Sequence, residues 1–331
     1  MRGGRRLTST DTRNRLRTKV AVARLDDYRP DRLISAITRQ LELLGGLGRF
    51  VRRQDSVLIK PNFIAPKPAH TAVQTDPAVV IALATVLKDF GARPFVADSP
   101  GWASVQSCAR VLGLDEPLKK LGVPVRPLNK PTRQRIGSGF VSISRLALQA
   151  DRIINLPKFK AHQQLTATIA VKNMFGCVCG KRKAFLHFSR GKSFDDFCRM
   201  LIDIYRLTAP VLSIVDGIVA MEGQGPINGR PRKLGFLVAS PDPLACELLC
   251  CDIINLDPQQ LPIVRTARQV GFGCTDLSQV EIVGDDYTPY RCTDFVAAEL
   301  TPLQFSLPRV SRSICKQIII LLKSFMTSPG K

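Results

Sequence analysis

His162 and His187 are two of only three histidines in the 331-residue chain. They bracket a segment, residues 158–187, that also carries five lysines, one arginine and no acidic residue. Imidazole exchanges protons near neutral pH and can ligate a metal. Lys172 lies between the two histidines. A lysine crowded by other cations is less strongly held in its charged form, which suits it to acid–base or nucleophilic work. Alternatively, Lys158, Lys160 and Lys172, with the Asn173 amide beside them, can clamp a phosphate or carboxylate. Cys177 and Cys179 stand one residue apart in the same segment. They offer two sulfur ligands to a metal, or simply fill a packed turn. His70, in the proline-rich stretch "APKPAHTAVQTDP", is a further metal candidate.

These residues need a scaffold, and the hydrophobic pattern supplies one. "KVAVARL", "SVLIKPNF", "RPFVADSPG" and "VPVRPLN" read as strands separated by the helices "DRLISAITRQLELLG", "DPAVVIALATVLKDFGA" and "SVQSCARVLGL". Asp76 can cap the second helix, Pro77 fits its first turn and Gly91 ends it. After residue 150 the alternation continues with the strand "ADRIINLPKFK", the helix "SFDDFCRMLIDIYRLT" and the strand "PVLSIVDGI". The loop "MEGQGPINGRP" comes next, then the strand "KLGFLVASPD", the helices "PLACELLCCDIINL" and "LPIVRTARQVGFG", and the strand "QVEIVGD". The expected fold class is α/β, with mostly parallel sheets flanked by helices and two lobes with a cleft between them. The expected organisation is a basic leader (1–18), an N-terminal α/β lobe (19–150), a second α/β lobe (151–290) and a basic, apolar tail (291–331).

Ligands in such sheets gather at the carboxyl ends of the strands. Those ends hold Lys60 and Asn62, Asp98 and Ser99, Lys158, Lys160 and His162, Asp216, and Ser240 and Asp242. Each can serve as a cap or a turn former, yet together they imply a polar cleft. The glycine-rich stretch adds Gly223 and Gly225, which permit close approach to a ligand, and Glu222, a carboxylate to oppose the basic segment. It fits neither a Walker A loop nor a dinucleotide fingerprint.

The blocks "VLIKPNF", "NLPKFKAHQQLTATIAVKNMFGCVCGKRKAFLH", "DGIVAMEGQGPINGRP" and "LVASPDPLACE" resemble the domain-of-unknown-function family 362, in that family's order and over roughly residues 19–285. Many members carry a ferredoxin-type iron–sulfur module, so the resemblance implies a cluster as one candidate cofactor. The module's cysteine run is missing from this sequence. The segment His162…Lys172…His187 is also distantly similar to that of nickel-dependent lactate racemases. That similarity implies a lysine and histidine holding a nickel-type nucleotide cofactor, with histidines as acid and base at a hydroxy-acid carbon.

Composition narrows the function classes. The net charge of +21 is compatible with nucleic acid, an anionic membrane surface or an anionic small molecule. Aromatic residues are only 6% of the chain, with one Trp, which argues against a nucleic-acid reader. The ten cysteines follow no secretory signal, and no run of 18 apolar residues occurs, so a reduced, cytoplasmic setting is expected. The tail "SICKQIIILLKSFM" can lie on an anionic membrane surface. The leading expectation is an enzyme that acts on an anionic small molecule or holds an anionic or metal cofactor. Its chemistry would be racemase- or isomerase-like, or oxidoreductase-like, with proton or hydride transfer beside a carboxylate. In that reading Lys60, Asn62, Asp98 and Glu222 form the wall facing the lysines. An iron–sulfur or other metal-binding redox protein is the second class. A nucleic-acid or membrane-surface binder acting through the basic ends is the third.

Overall fold

The computed structural model describes residues 18–303 other than Trp102 and Lys181. The basic leader and the tail "SICKQIIILLKSFM" lie outside the described residues. The first half of the chain runs β1 (Thr18–Arg24), α1 (Pro30–Leu43), β2 (Ser56–Pro61), α2 (Pro77–Asp89), β3 (Arg93–Asp98), α3 (Val105–Val111), α4 (Asp115–Lys120) and β4 (Val125–Pro127). A hairpin of β5 (Pro131–Ile136) and β6 (Gly139–Ser144) follows, then α5 (Arg145–Gln149). The second half contains β7 (Arg152–Leu156), β8 (Lys158–His162), β9 (Thr166–Thr168), α6 (Ala170–Asn173), α7 (Arg182–Arg190) and α8 (Phe194–Thr208). It ends with β10 (Leu212–Gln224), β11 (Asn228–Ser240), α9 (Pro243–Ile253), α10 (Pro262–Gln269) and β12 (Val280–Gly284).

Ten strands form one sheet, with the order β12-β1-β11-β10-β7-β2-β3-β4 and with β8 and β9 extending from β10. The run β10-β7-β2-β3-β4 is parallel throughout, and β11 runs against both its neighbours. The fold is therefore α/β with a large, mostly parallel sheet flanked by helices. Strands from the two halves of the chain interleave: β7 lies between β2 and β10, and β1 lies between β11 and β12. The chain position 150 is thus not a break in the sheet.

Both faces of the sheet are covered, which is why its central strands are continuous apolar runs. Helices α1–α4 pack Leu33, Ile37, Val80, Leu83, Cys108 and Leu118 onto Val57, Ile59, Ile154 and Ile214. On the other face α8, α9 and α10 bring Phe197, Leu201, Leu248 and Val264 against Leu58, Ile153, Val215 and Val238. Helix starts follow their caps. The Asp76 carboxylate accepts from the Ala78 amide at 2.9 Å and the Asp242 carboxylate from the Leu244 amide at 2.8 Å, each followed by a proline in the first turn.

Two elements differ from their sequence pattern in ways that matter for the site. "ADRIINLPKFK" is not one strand. Pro157 interrupts it, so β7 stays between β2 and β10 while β8 moves further along β10, pairing Lys158 with Asp216 and Lys160 with Met221. This carries His162 past the carboxyl edge of the sheet. "MEGQGPINGRP" is not a loop either. Its residues extend β10 and β11 into a long hairpin that pairs Gln224 with Asn228 around a three-residue turn. A Cβ on Gly225 would stand 2.0 Å from the Ala161 carbonyl oxygen, so glycine there lets the turn pack on β8. The β5–β6 hairpin has no counterpart in the expected pattern, because "TRQRIGSGFVSIS" is too polar to stand out.

Candidate functional site

A cavity of about 370 Å³ opens at the carboxyl edge of the sheet. The end of β2 gives it Lys60 and Asn62, the end of β3 gives Asp98 and Ser99, and the end of β8 gives His162. Helix α6 adds Lys172 and Asn173, and α7 adds Lys183 and His187. The β10–β11 turn closes one side with Pro226 and Ile227, and Thr301 closes another. Both halves of the chain therefore build the cavity.

Its floor is a sealed polar network. The Lys60 ammonium lies 2.8 Å from an Asp98 oxygen, with both side chains buried, and it also donates to the Pro61 carbonyl at 2.6 Å. Asp98 further accepts from the amides of Phe63 and Ser99 at 2.8 and 2.7 Å. Gly176 makes room for this pair, since a Cβ there would come within 2.5 Å of the Asp98 carboxylate and the Lys60 ammonium. Asn173 donates to Asn155 and to the Lys60 carbonyl and accepts from Asn62, which ties α6 to β2 and β7.

Cations without a matching carboxylate stand above this floor. Burial, and then the charge of Lys183, lower the Lys172 ammonium to a pKa of about 8. Burial likewise lowers Lys183 to about 8, against the opposing pull of Asp98. Lys183 donates to the Ser99 carbonyl, and the Ser99 hydroxyl accepts from the Gly180 amide at 2.8 Å. His162 is held neutral by burial and by the charges of Lys172 and Lys160. His187 is pushed down to about 3 by burial and by Lys172, while a backbone hydrogen bond at Leu303 acts the other way. Its ring packs on Phe197 with centroids 4.6 Å apart.

His162 has a defined tautomer. Its Nδ1 accepts from the amides of Gln164 and Leu165 at 3.0 and 3.3 Å. The ring proton is therefore on Nε2, making His162 a hydrogen-bond donor through that nitrogen. A metal ligand at Nε2 needs the opposite tautomer, with an Nδ1–H directed at two N–H groups. The local backbone thus does not fit a nickel-type cofactor ligated by His162. An iron–sulfur cluster fits no better. Cys177 and Cys179 are both buried, and they offer two sulfurs where a cluster takes four cysteine ligands. No group of three or more His, Cys, Asp or Glu gathers as metal ligands among the described residues.

Of the residues singled out from sequence, Lys60, Asn62, Asp98, His162, Lys172, Asn173 and His187 converge on the cavity. Lys158 does not: its buried ammonium is 2.9 Å from the buried Asp216 and 3.0 Å from the hydroxyl of the half-buried Tyr28. Lys160 is buried and donates to the Val73 carbonyl at 2.6 Å. Glu222 is not on the facing wall; its oxygens accept from the Arg230 guanidinium at 2.8 Å and the Val296 amide at 3.1 Å. Gly223 donates to the Val296 carbonyl, and Gly225 packs on β8. His70 is exposed on the turn Ala69–Thr71. Asp242 caps α9, and Ser240 donates to the Lys19 carbonyl. Lys183 is the main residue missing from the sequence reading. Its signal was its place in "GKRKAFLH", four residues before His187, where a helix puts both on one face.

The model of the family described as "Domain of unknown function (DUF362)" matches residues 57–252. A Synechocystis sp. protein described as thylakoid-associated is 37% identical over 310 residues, which is 91% of this chain and 94% of that protein. Two solved structures are similar at 12% identity. The lactate racemase apoprotein from Thermoanaerobacterium thermosaccharolyticum has a TM-score of 0.47 over 72% of this chain and 57% of its own. A Thermotoga maritima protein has a TM-score of 0.41 over 63% of this chain and 55% of its own.

Proposed function

The chain belongs to the DUF362 family, and on that premise we propose that it is an enzyme that binds a carboxylate-bearing small molecule in this cavity and moves a proton at the adjacent carbon. One observation carries the reading. The cavity presents the ammonium groups of Lys172 and Lys183, while Asp98, the single carboxylate among its described lining residues, is already engaged by Lys60 and two amides. An anion entering it meets unmatched positive charge in a partly desolvated setting, where such contacts are strongest.

The chemistry follows from the protonation states. With a pKa of about 8, Lys172 is mostly the ammonium at pH 7, and the roughly one-tenth present as free amine can accept a proton from carbon. Negative charge then develops on the substrate's oxygens, where the Lys183 ammonium and the His162 Nε2–H can receive it. The Lys172 ammonium returns the proton. His187, held neutral, does not compete for the anion as a cation and shapes the wall beside Phe175 and Phe197. The test is incubation with a panel of short hydroxy and keto acids in deuterated water, read by mass spectrometry. Deuterium at the α carbon, lost in Lys172→Met, supports the proposal. No exchange with any acid that calorimetry shows to bind contradicts the proton-transfer step.

A second reading concerns place of work. The 37%-identical relative is described as thylakoid-associated, which supports a working position on a membrane surface for this chain too. Among the described residues no helix is long and apolar enough to cross a membrane, and the contact proposed is a peripheral one. Cell fractionation checks this: the chain should pellet with membranes and be released by high salt. Recovery entirely in the supernatant at low salt contradicts it.

A further inference from the structure

We propose that the outer face of α7, together with the adjoining β5–β6 hairpin, is the surface that seats the chain on an anionic lipid bilayer. The proposal deepens the membrane-surface reading above and rests on it. Helix α7 has two unlike sides. Lys183 and His187 turn into the cavity and Leu186 is buried. On the outer side Phe185 is 65% exposed and Phe188 is 40% exposed.

The hairpin adjoins this helix. A Cβ on Gly139 would lie 2.5 Å from the Arg190 guanidinium, so the hairpin turn meets the last turn of α7. Phe140, next in sequence, is 52% exposed. The Arg133 guanidinium stands 4.1 Å from its ring centroid, and Arg135 is its cross-strand partner. Phe140, Phe185 and Phe188 are the exposed phenylalanines among the described residues, and they fall on two touching elements.

Charge identifies the occupant. The exposed cations on and beside these elements are Arg133, Arg135, Arg182 and Lys192, and from residue 117 to residue 194 the sequence has one acid, Asp151. Both elements of the face lie inside that stretch. Asp203, near the hairpin turn, is engaged by the Ser138 amide at 2.7 Å. Aromatic rings set among basic side chains suit an interface of acyl chains and phosphates, where the rings enter the apolar boundary and the cations meet the headgroups. Because the opposite side of α7 lines the cavity, seating this helix brings the cavity to the bilayer surface, within about the 10–12 Å diameter of one helix.

The experiment is co-sedimentation of the full chain with phosphatidylcholine vesicles, with and without phosphatidylglycerol. A Phe140→Ser/Phe185→Ser variant and an Arg133→Gln/Arg135→Gln variant are compared, with circular dichroism to confirm that each is folded. The wild type should bind the anionic vesicles in a salt-sensitive way, and both variants should bind about tenfold or more weakly. If the wild type binds and the phenylalanine variant binds equally well, this face is wrong while membrane association stands. If the wild type ignores both vesicle types, the membrane reading falls with it. Equal binding to neutral vesicles overturns the assignment to an anionic surface.

Discussion

Lys158 and Lys160 on β8 differ sharply from Lys172 and Lys183 on α6 and α7, although all four belong to one acid-poor segment. Lys158 finds a carboxylate: Asp216, from the neighbouring β10, lies 2.9 Å away and is itself fixed by Tyr28 and the Asp76 amide. Lys160 is sealed under the Val73 carbonyl. Lys172 and Lys183 instead border open volume, and the carboxylate nearest that volume is spent on Lys60. A run of positive charge is therefore two things at once. Part of it is internal structure, held by a carboxylate or a carbonyl from elsewhere in the chain, and part is unmatched charge awaiting an anion. The partner decides which, and Asp216 stands 58 residues from Lys158 in the sequence.

The largest effects should come from breaking the neutralised pairs. Asp216→Ala leaves Lys158 buried and uncompensated, and Asp98→Ala does the same to Lys60. Each should cost about 3–5 kcal/mol in urea unfolding, the usual penalty for orphaning a buried charge. A loss below about 1 kcal/mol would mean that the pair is not sealed from water. The cavity lysines should behave in the opposite way. Lys172→Met removes a charge that is already poorly solvated, so stability should hold or rise. Carboxylate binding, measured by calorimetry, should weaken at least about tenfold, in the range expected for a lost charge-assisted hydrogen bond.

Little in the sequence separates these two groups of lysines. The strand ends were legible, because apolar runs stop at Lys60, Asp98 and His162, and so was the helix carrying the Asp76 cap. The partners were not, since sequence spacing says nothing about Asp216 standing beside Lys158. The break at Pro157 is visible as a proline. Its consequence, a shift of β8 along β10, depends on the register of a distant strand. Glu222 seemed suited to the cleft because a glycine-rich stretch reads as a loop. As part of a hairpin it points to Arg230 and the Val296 amide instead.

Smaller effects follow from pH. Lys172 and Lys183 fall from an ordinary 10.5 to about 8, so the folded protein holds fewer protons than the unfolded chain between those values. Stability attributable to these groups therefore rises with pH across that window, while anion binding falls as the ammonium groups are lost. His187, at about 3, acts in the same sense at lower pH: acidification from about 6.5 toward 3 should destabilise the fold. Paired denaturation and binding measurements against pH check both signs. Glu247 acts in the opposite sense. It is buried behind α6, accepts from the Val171 amide at 2.9 Å and is raised to about 8 by burial. Its contribution is full below about 4.5 and lost as pH rises through 8, so Glu247→Gln should flatten that decline and leave acid stability unchanged.

The contrast between the lysines can be read directly by labelling the native protein with a small amine-reactive reagent near pH 8 and ranking each lysine by mass spectrometry. Lys172 and Lys183 should label early, as accessible amines of lowered pKa, and be protected by a bound carboxylate. Lys60, Lys158 and Lys160 should stay unlabelled until the protein unfolds. Labelling of Lys158 or Lys160 at the rate of Lys172, or no protection of Lys172 by any anion, would contradict the division of this segment into neutralised structure and an unmatched anion site.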